Sequence, residues 1–332
     1  MKHSNIALFV AHQGCPHQCS FCNQKTISGK LETATPQEVI EAAEIAKRSL
    51  GENSSGAEIS FFGGSFTAIE RDYMISLLKA AYPYIKDGTF KGIRASTRPD
   101  AINEEILSIL KEYGVTALEL GAQSMNDEVL KKNMRGHTAK QVEEASEMIK
   151  SFSIELGLQM MTGLYGDDDE GAVRTAEKII EIKPSTVRIY PTVVLENTFL
   201  ARLYKEGKYK PQTLDEAVFL CSRLLKMFEQ SNINVIRLGL HSGGNVEEGY
   251  LAGAYHPAFR ELCESKIYYE NAKAYIEKND ISEGQHIIYV CPKGISAMTG
   301  QHRQNIEALK SEGFDCKIKS DSCLKKYEVV IQ

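Results

Sequence analysis

Three cysteines near the start of the chain, Cys15, Cys19 and Cys22 in G-C-P-H-Q-C-S-F-C-N, are spaced C-x3-C-x2-C. That spacing brings three thiolates within reach of one centre and leaves no fourth cysteine close by. A structural zinc site closes its tetrahedron with four protein ligands. An electron-transfer [4Fe–4S] cluster likewise has four cysteines. Three in one tight loop fit a cubane with one iron open to a ligand that is not protein. On the cysteines alone, zinc is the alternative.

The other residues with chemistry to offer stand where apolar runs end. Gly63-Gly64-Ser65 follows A-E-I-S-F-F, and Ser96-Thr97-Arg98 closes G-I-R-A-S-T-R. Gln123 and Ser124 follow V-T-A-L-E-L-G-A, and Arg188 and Tyr190 lie within T-V-R-I-Y-P-T-V. In barrels of parallel strands, reactive groups collect at the carboxyl ends, where the βα loops converge. The diglycine lets backbone approach a ligand closely, so its N–H and C=O groups can hold the amino and carboxylate ends of an amino acid. Arg135, in M-R-G-H-T, offers a two-pronged match to a carboxylate.

The elements that must position these groups follow a regular rhythm. Residues 6–11 read as a strand buried on both faces. Thr35 caps a helix that Pro36 opens and that runs to about Leu50. Further strands are expected at 57–62, 92–97, 115–122, 154–161 and 186–193. Helices near 70–86, 102–112, 126–132, 138–151 and 170–182 separate them. Six alternating units predict a parallel sheet with crossover helices. They fall short of the eight that close a TIM barrel, so the expectation is an α/β fold with an open, partial (β/α)6 barrel. A helix near 213–230 and a strand at 234–240 follow, and Gly243-Gly244-Asn245 marks a break. A helix over about 257–278 leads to a strand at 286–290, a helix over about 299–312, and strands at 314–319 and 326–331. The expected division is 1–240 for the partial barrel and 241–332 for a helical linker and a small α/β appendage.

Composition bounds the rest. The chain has 332 residues, 42% hydrophobic and 25% charged, as in an ordinary globular protein. No run approaches the roughly 18 apolar residues of a membrane span. The apolar patch in M-K-H-S-N-I-A-L-F-V-A-H is too short for a signal peptide. A cytoplasmic location is expected, and there cysteines serve metals, catalysis or the core rather than disulfides. Cys221, Cys263, Cys291, Cys316 and Cys323 are scattered and read as buried or incidental thiols. The net charge of −5 argues against a chain-wide nucleic-acid footprint.

Five ordered blocks carry a family resemblance. They are F-F-G-G-S-F-T-A-I, S-T-R-P-D, E-L-G-A-Q-S-M-N-D-E-V-L, R-G-H-T, and V-R-I-Y-P-T-V-V-L-E-N-T-F-L-A-R-L-Y-K-E-G-K-Y-K-P. With the cysteine loop they resemble the radical S-adenosylmethionine (SAM) superfamily, and within it the radical SAM domain of the catalytic subunit of Elongator, the tRNA-modifying complex. More distantly they resemble oxygen-independent coproporphyrinogen oxidases. The similarity runs from about residue 4 to 240.

The resemblance implies that Cys15, Cys19 and Cys22 ligate a [4Fe–4S] cluster whose open iron takes SAM, and the aromatic Phe21 fits the same pattern. Gly63, Gly64 and Ser65 would surround the SAM methionine. Ser96, Thr97 and Arg98 would lie near the ribose, and Gln123 and Arg135 would also face SAM. Arg188 and Tyr190 join the expected cofactor-binding set. The implied reaction is reductive cleavage of SAM to a 5′-deoxyadenosyl radical, fed by a one-electron donor of flavodoxin or ferredoxin type, with tRNA modification as its setting. A porphyrinogen-like small-molecule substrate, or a non-catalytic Fe–S or zinc protein, are the alternatives. Two departures stand out. Ser65 replaces the acidic residue that many radical SAM enzymes carry after the diglycine. The 332 residues also leave no room for the acetyltransferase domain of the Elongator subunit.

The segment 285–332 carries seven Lys and Arg against five Asp and Glu. Its loop C-P-K-G-I-S-A-M-T-G-Q-H-R-Q-N sets Lys293 ahead of a helix bearing Arg303. A glycine-containing loop at a helix N-terminus suits a phosphate. The segment is therefore expected to dock substrate RNA, tRNA in the first place. The other reading is a cap over the open side of the barrel.

Overall fold

The computed structural model describes residues 4–10, 15, 18–23, 33–240 and 246–332. Its strands are β1 (Ser4–Phe9), β2 (Ala57–Phe62), β3 (Gly92–Thr97), β4 (Val115–Gln123), β5 (Glu155–Thr162), β6 (Thr186–Pro191), β7 (Val193–Leu195), β8 (Asn234–Leu238), β9 (Tyr250–Gly253), β10 (Gly284–Val290), β11 (Phe314–Ser320) and β12 (Val329–Ile331). The main sheet has the order β1-β2-β3-β4-β5-β6-β8, and every pairing in it is parallel. It is the open, partial barrel expected, with one correction: the strand at 234–238 extends it to seven. As an edge strand, β1 alternates burial instead of being buried on both faces. The expected break at Gly243-Gly244-Asn245 lies outside the described residues.

Local chemistry explains the crossovers. The helix Pro36–Leu50 starts with a reciprocal capping box between Thr35 and Glu38 and has proline in its first turn. The helices Ala139–Ser151 and Leu214–Gln230 start with the same device, from Thr138–Gln141 and Thr213–Glu216. Along each strand the faces alternate. Leu118, Leu120, Leu156, Leu158, Val187 and Ile189 belong to the core beneath the helices. The intervening Glu119, Gln159 and Arg188 meet one another on the opposite, inner face.

Three features differ from the sequence expectation. β7 pairs antiparallel with β9, a two-stranded ribbon of elements too short to show periodicity. The helix Phe199–Lys205, capped by Thr198, follows β7. The expected helix over 299–312 is two helices, Ile295–Thr299 and Gln304–Ser311. Gly300, His302 and Arg303 separate them, at φ of 76°, 49° and 63°. That is left-handed backbone, which no helix continues through.

The second sheet, in the order β11-β10-β12, has its own core of Ile288, Val290, Met298, Leu309, Cys316 and Ile331. The helix Phe259–Lys278 serves both cores. Its Phe259, Cys263 and Ile267 pack with the main sheet, and its Tyr268, Ala272 and Ile276 pack with the small one.

Candidate active site

The cysteine loop leaves the carboxyl end of β1. Cys15 is exposed, Cys22 half-buried and Cys19 buried. Cys15 is open to solvent, yet the surrounding protein displaces enough water from its thiol to push it up, as does the neighbouring Cys19, while Arg98 and Arg135 oppose that shift. Among the described residues no three His, Cys, Asp or Glu side chains converge to metal-binding distance. Phe21 packs beside Val194, Leu200 and Tyr209.

The ends of β2 and β3 are braced against each other. Gly63 has φ 87°, which favours glycine, and turns the chain sharply after β2. Ser65 and Thr97 are buried and share a hydrogen bond of 2.9 Å. Thr67 Oγ1 lies 2.5 Å from Thr97 Oγ1 and donates to the Ala101 carbonyl at 2.7 Å. The Arg98 N–H donates to Ser65 Oγ at 3.2 Å. Directions follow along this chain. Thr67 spends its proton on Ala101, so Thr97 donates to Thr67, and Ser65 donates to Thr97. The hydroxyl at the position after the diglycine thus ties two loops together, which a carboxylate could not do in the same way. Arg98 is itself clamped by Asp100 through two hydrogen bonds, of 2.9 and 2.8 Å. Ser96 accepts from Gln159 Nε2 at 3.3 Å.

At the end of β4 the register against β5 shifts between Gly121 and Gln123, and Gln123 adopts φ 66°. The bulge re-aims the Gln123 side chain. Arg135 comes over the same spot. Its guanidinium donates to Cys19 Sγ at 2.9 Å and to the Gly121 carbonyl at 2.6 Å. A Cβ at Gly121 would stand 3.0 Å from Gln123 Nε2 and 3.2 Å from Arg135 Nη2, so the glycine makes room for both. Gln123 Oε1 and Arg135 Nε are buried without a hydrogen-bond partner among the described residues. Below them His137 Nε2 donates to the Ala122 carbonyl at 3.2 Å. Burial and the Arg135 charge depress its pKa to about 4, so the ring is neutral at neutral pH.

The inner face below carries a buried ionic layer. Glu119, 1% exposed, accepts a hydrogen bond from Arg188 Nη2 at 2.8 Å, and Arg188 Nε lies 2.5 Å from its other oxygen as an ion-pair contact without hydrogen-bond alignment. Glu119 also receives Gln159 Nε2 at 3.1 Å and Arg94 Nη1 at 3.4 Å. Arg94 reaches Glu58 at 2.7 Å and Glu155 at 3.1 Å. Arg188 lies over the Phe62 ring at 5.1 Å, with the Tyr190 hydroxyl 3.4 Å away. Arg188 and Tyr190 thus belong to this ionic layer, in which Arg188 Nε finds no aligned hydrogen-bond acceptor among the described residues.

At the end of β5, Tyr165 and Asp167 line a cleft of about 230 Å³ with Lys208, Tyr209, Lys210 and Gln212. Burial raises the Asp167 pKa to about 6. Of the scattered cysteines, Cys221, Cys263 and Cys316 are buried.

The sequence missed Thr67, Glu119 and Asn133. Only Glu119 left a signal, a charge inside an apolar strand. The donor set fits the implied groups. A guanidinium at a cysteine sulfur suits an anionic thiolate site. Gln123 Oε1 and Arg135 Nε beside it, buried and without a partner among the described residues, suit a ligand with a polar, zwitterionic end.

Residues 9–179 match the family described as the Radical SAM superfamily, and residues 184–269 match the Radical SAM C-terminal domain. A tRNA uridine(34) acetyltransferase of Methanocaldococcus jannaschii is 25% identical over 256 residues, which is 65% of this chain and 47% of that protein. The human Elongator complex protein 3 is 31% identical over 203 residues, 54% of this chain and 37% of that protein. The chain therefore spans about half or less of these curated relatives. Among solved structures, the Methanocaldococcus infernus Elp3 superposes with a TM-score of 0.61 at 20% identity, covering 84% of this chain and 64% of that one. The coproporphyrinogen III oxidase of Escherichia coli gives 0.50 at 16% identity, covering 69% and 52%. These two likenesses speak for the fold alone. The family match itself spans more than half of the chain, which belongs to the radical SAM superfamily as an enzyme similar to Elongator complex protein 3.

Proposed function

We propose that Cys15, Cys19 and Cys22 hold a [4Fe–4S] cluster and that the adjoining strand ends bind SAM. When bound, the cluster supplies one electron to the SAM sulfonium, which yields methionine and a 5′-deoxyadenosyl radical. The observation that carries this reading is the Arg135 guanidinium bridging Cys19 Sγ and the Gly121 carbonyl beside Gln123. One side chain there ties the cysteine loop to the end of β4. Arg135 offsets negative charge on the Cys19 sulfur. Gln123 Oε1 offers an acceptor, and the backbone of Gly63 and Gly64 is the surface for the amino-acid end of SAM. The Ser65–Thr97–Thr67 chain ties the β2 and β3 loops together, and the ionic layer around Glu119 lies on the inner face of the same strands.

Anaerobically reconstituted protein given dithionite and SAM is expected to form 5′-deoxyadenosine. Iron-loaded, reduced protein that binds SAM yet forms none, even with substrates supplied, would leave a non-catalytic Fe–S protein. A ferredoxin- or flavodoxin-type donor takes the place of dithionite in the cell.

The relatives named for tRNA uridine(34) favour tRNA over a porphyrinogen-like small molecule as the substrate. The exposed Lys293 and Arg303 in segment 285–332 are the proposed docking residues. Total tRNA from cells with and without the protein should differ in a modified nucleoside, and identical nucleoside profiles would turn attention to a small molecule.

A further inference from the structure

We propose that Asn133 is a positioning residue that clamps the middle of the cysteine loop and fixes Cys19 against Arg135. Ser20, between the second and third cysteines, is fully buried, and so is Asn133. Two parallel bonds join them. The Ser20 N–H donates to the Asn133 carbonyl at 3.1 Å, and the Ser20 hydroxyl donates to Asn133 Oδ1 at 2.7 Å.

The direction of the second bond is forced. Asn133 Nδ2 donates to the Val129 carbonyl at 2.8 Å and to the Tyr165 carbonyl at 2.9 Å, which leaves Oδ1 toward Ser20. The Ser20 carbonyl is also used, accepting the Leu200 N–H at 2.8 Å. One buried amide therefore joins the cysteine loop, the helix Asp127–Lys132 and the loop after β5. Through Ser20, the helix Phe199–Lys205 is attached as well.

The clamp is short-range with respect to Arg135. Met134 lies between them at φ 54°, and Arg135 N–H returns to the Leu130 carbonyl at 3.0 Å. This backbone sets Arg135 directly beyond the clamp, and its guanidinium reaches Cys19 Sγ at 2.9 Å. Loss of the clamp would free Ser20 and widen the Cys19–Arg135 separation without removing any of the three thiols.

The proposal rests on the cluster reading, and its test separates the two. In Asn133→Asp the amide NH2 becomes a carboxylate oxygen facing the Val129 and Tyr165 carbonyls, while Ser20→Ala removes a single hydroxyl. Both variants are expected to take up iron. Asn133→Asp should then lose it to a chelator about tenfold faster than the native protein, the equivalent of roughly one buried hydrogen bond. Ser20→Ala should show a smaller acceleration. In both, the g-values of the reduced cluster should shift.

A second arm needs no cluster: in iron-free protein, amide hydrogen exchange in the peptide containing Ser20 should be slow in the native chain and at least tenfold faster in Asn133→Asp. Native iron-release rates and g-values in both variants would overturn the proposal, as would unchanged exchange in Asn133→Asp. Native protein that takes up no iron would sink the cluster reading instead, and the exchange arm alone would then decide on the clamp.

Discussion

Replacing Glu119 by Gln tests whether the inner face of the barrel is held by charge. Both carboxylate oxygens face donors only. Oε1 accepts from Arg188 Nη2 at 2.8 Å and Arg94 Nη1 at 3.4 Å, and Oε2 accepts from Gln159 Nε2 at 3.1 Å with Arg188 Nε in ion-pair contact at 2.5 Å. A glutamine amide must turn its NH2 toward donors whichever way it is flipped. The two arginines then fare differently. Arg94 keeps Glu58 and Glu155, at 2.7 and 3.1 Å. Whichever way the amide lies, Arg188 keeps one neutral carbonyl oxygen, the Tyr190 hydroxyl at 3.4 Å and the Phe62 ring, and among the described residues no carboxylate. It becomes a buried cation without a counter-charge, which costs about 3–5 kcal/mol. At about 2 °C per kcal/mol for a chain of this size, the melting temperature should fall by about 6–10 °C. Adding Arg188→Met removes the stranded charge, so the double variant should be more stable than Glu119→Gln alone. Thermal unfolding followed by circular dichroism reads both. A Glu119→Gln protein within about 1 kcal/mol of native, or a double variant showing no rescue, would refute the reasoning.

Asn305→Ala should loosen the small sheet's helices from the long helix Phe259–Lys278, because one buried Nδ2 donates toward Ser265 O, Ser265 Oγ, Ala297 O and Met298 O at 3.0–3.2 Å. A loss of about 2–3 kcal/mol is expected, seen as faster proteolysis within 279–332, and native proteolysis would contradict it. Asp167→Asn tests a carboxyl whose folded-state pKa, about 6, lies above its ordinary value of 3.8 because of burial. Folding then favours the protonated form, so stability is lost as pH rises from 3.8 through 6. The Asn variant should be more stable at pH 7.5 by about 1–2 kcal/mol, discounted for partial exposure, and equal to native at pH 4. Lys293→Ala with Arg303→Ala should weaken tRNA binding in a salt-dependent way while SAM cleavage without RNA survives, and unchanged affinity would remove the docking role.

The strand ends were legible in sequence because a buried parallel strand must be apolar and its carboxyl-end loop is where polar residues resume. Cys15, Cys19, Cys22, Gly63, Gly64 and Gln123 are visible in that way. The roles of Ser65 and Thr97 were not, since a hydroxyl chain depends on which loops meet across the sheet. Asn133 and Ser20 are 113 positions apart and ordinary in type, so nothing in the sequence pairs them. β7 and β9, at three and four residues, are too short for periodicity to register. The break at Gly300–Arg303 was hidden because helix-compatible residues flank it and the left-handed His302 and Arg303 are not glycines.

The central claim is that three cysteines hold a cluster with one iron open to SAM. Electron paramagnetic resonance of the anaerobically reconstituted, dithionite-reduced protein, recorded with and without SAM, tests it most directly. About four irons per chain and a spectrum whose g-values change on adding SAM are predicted. Zinc in place of iron, or a cluster signal indifferent to saturating SAM, would contradict the account.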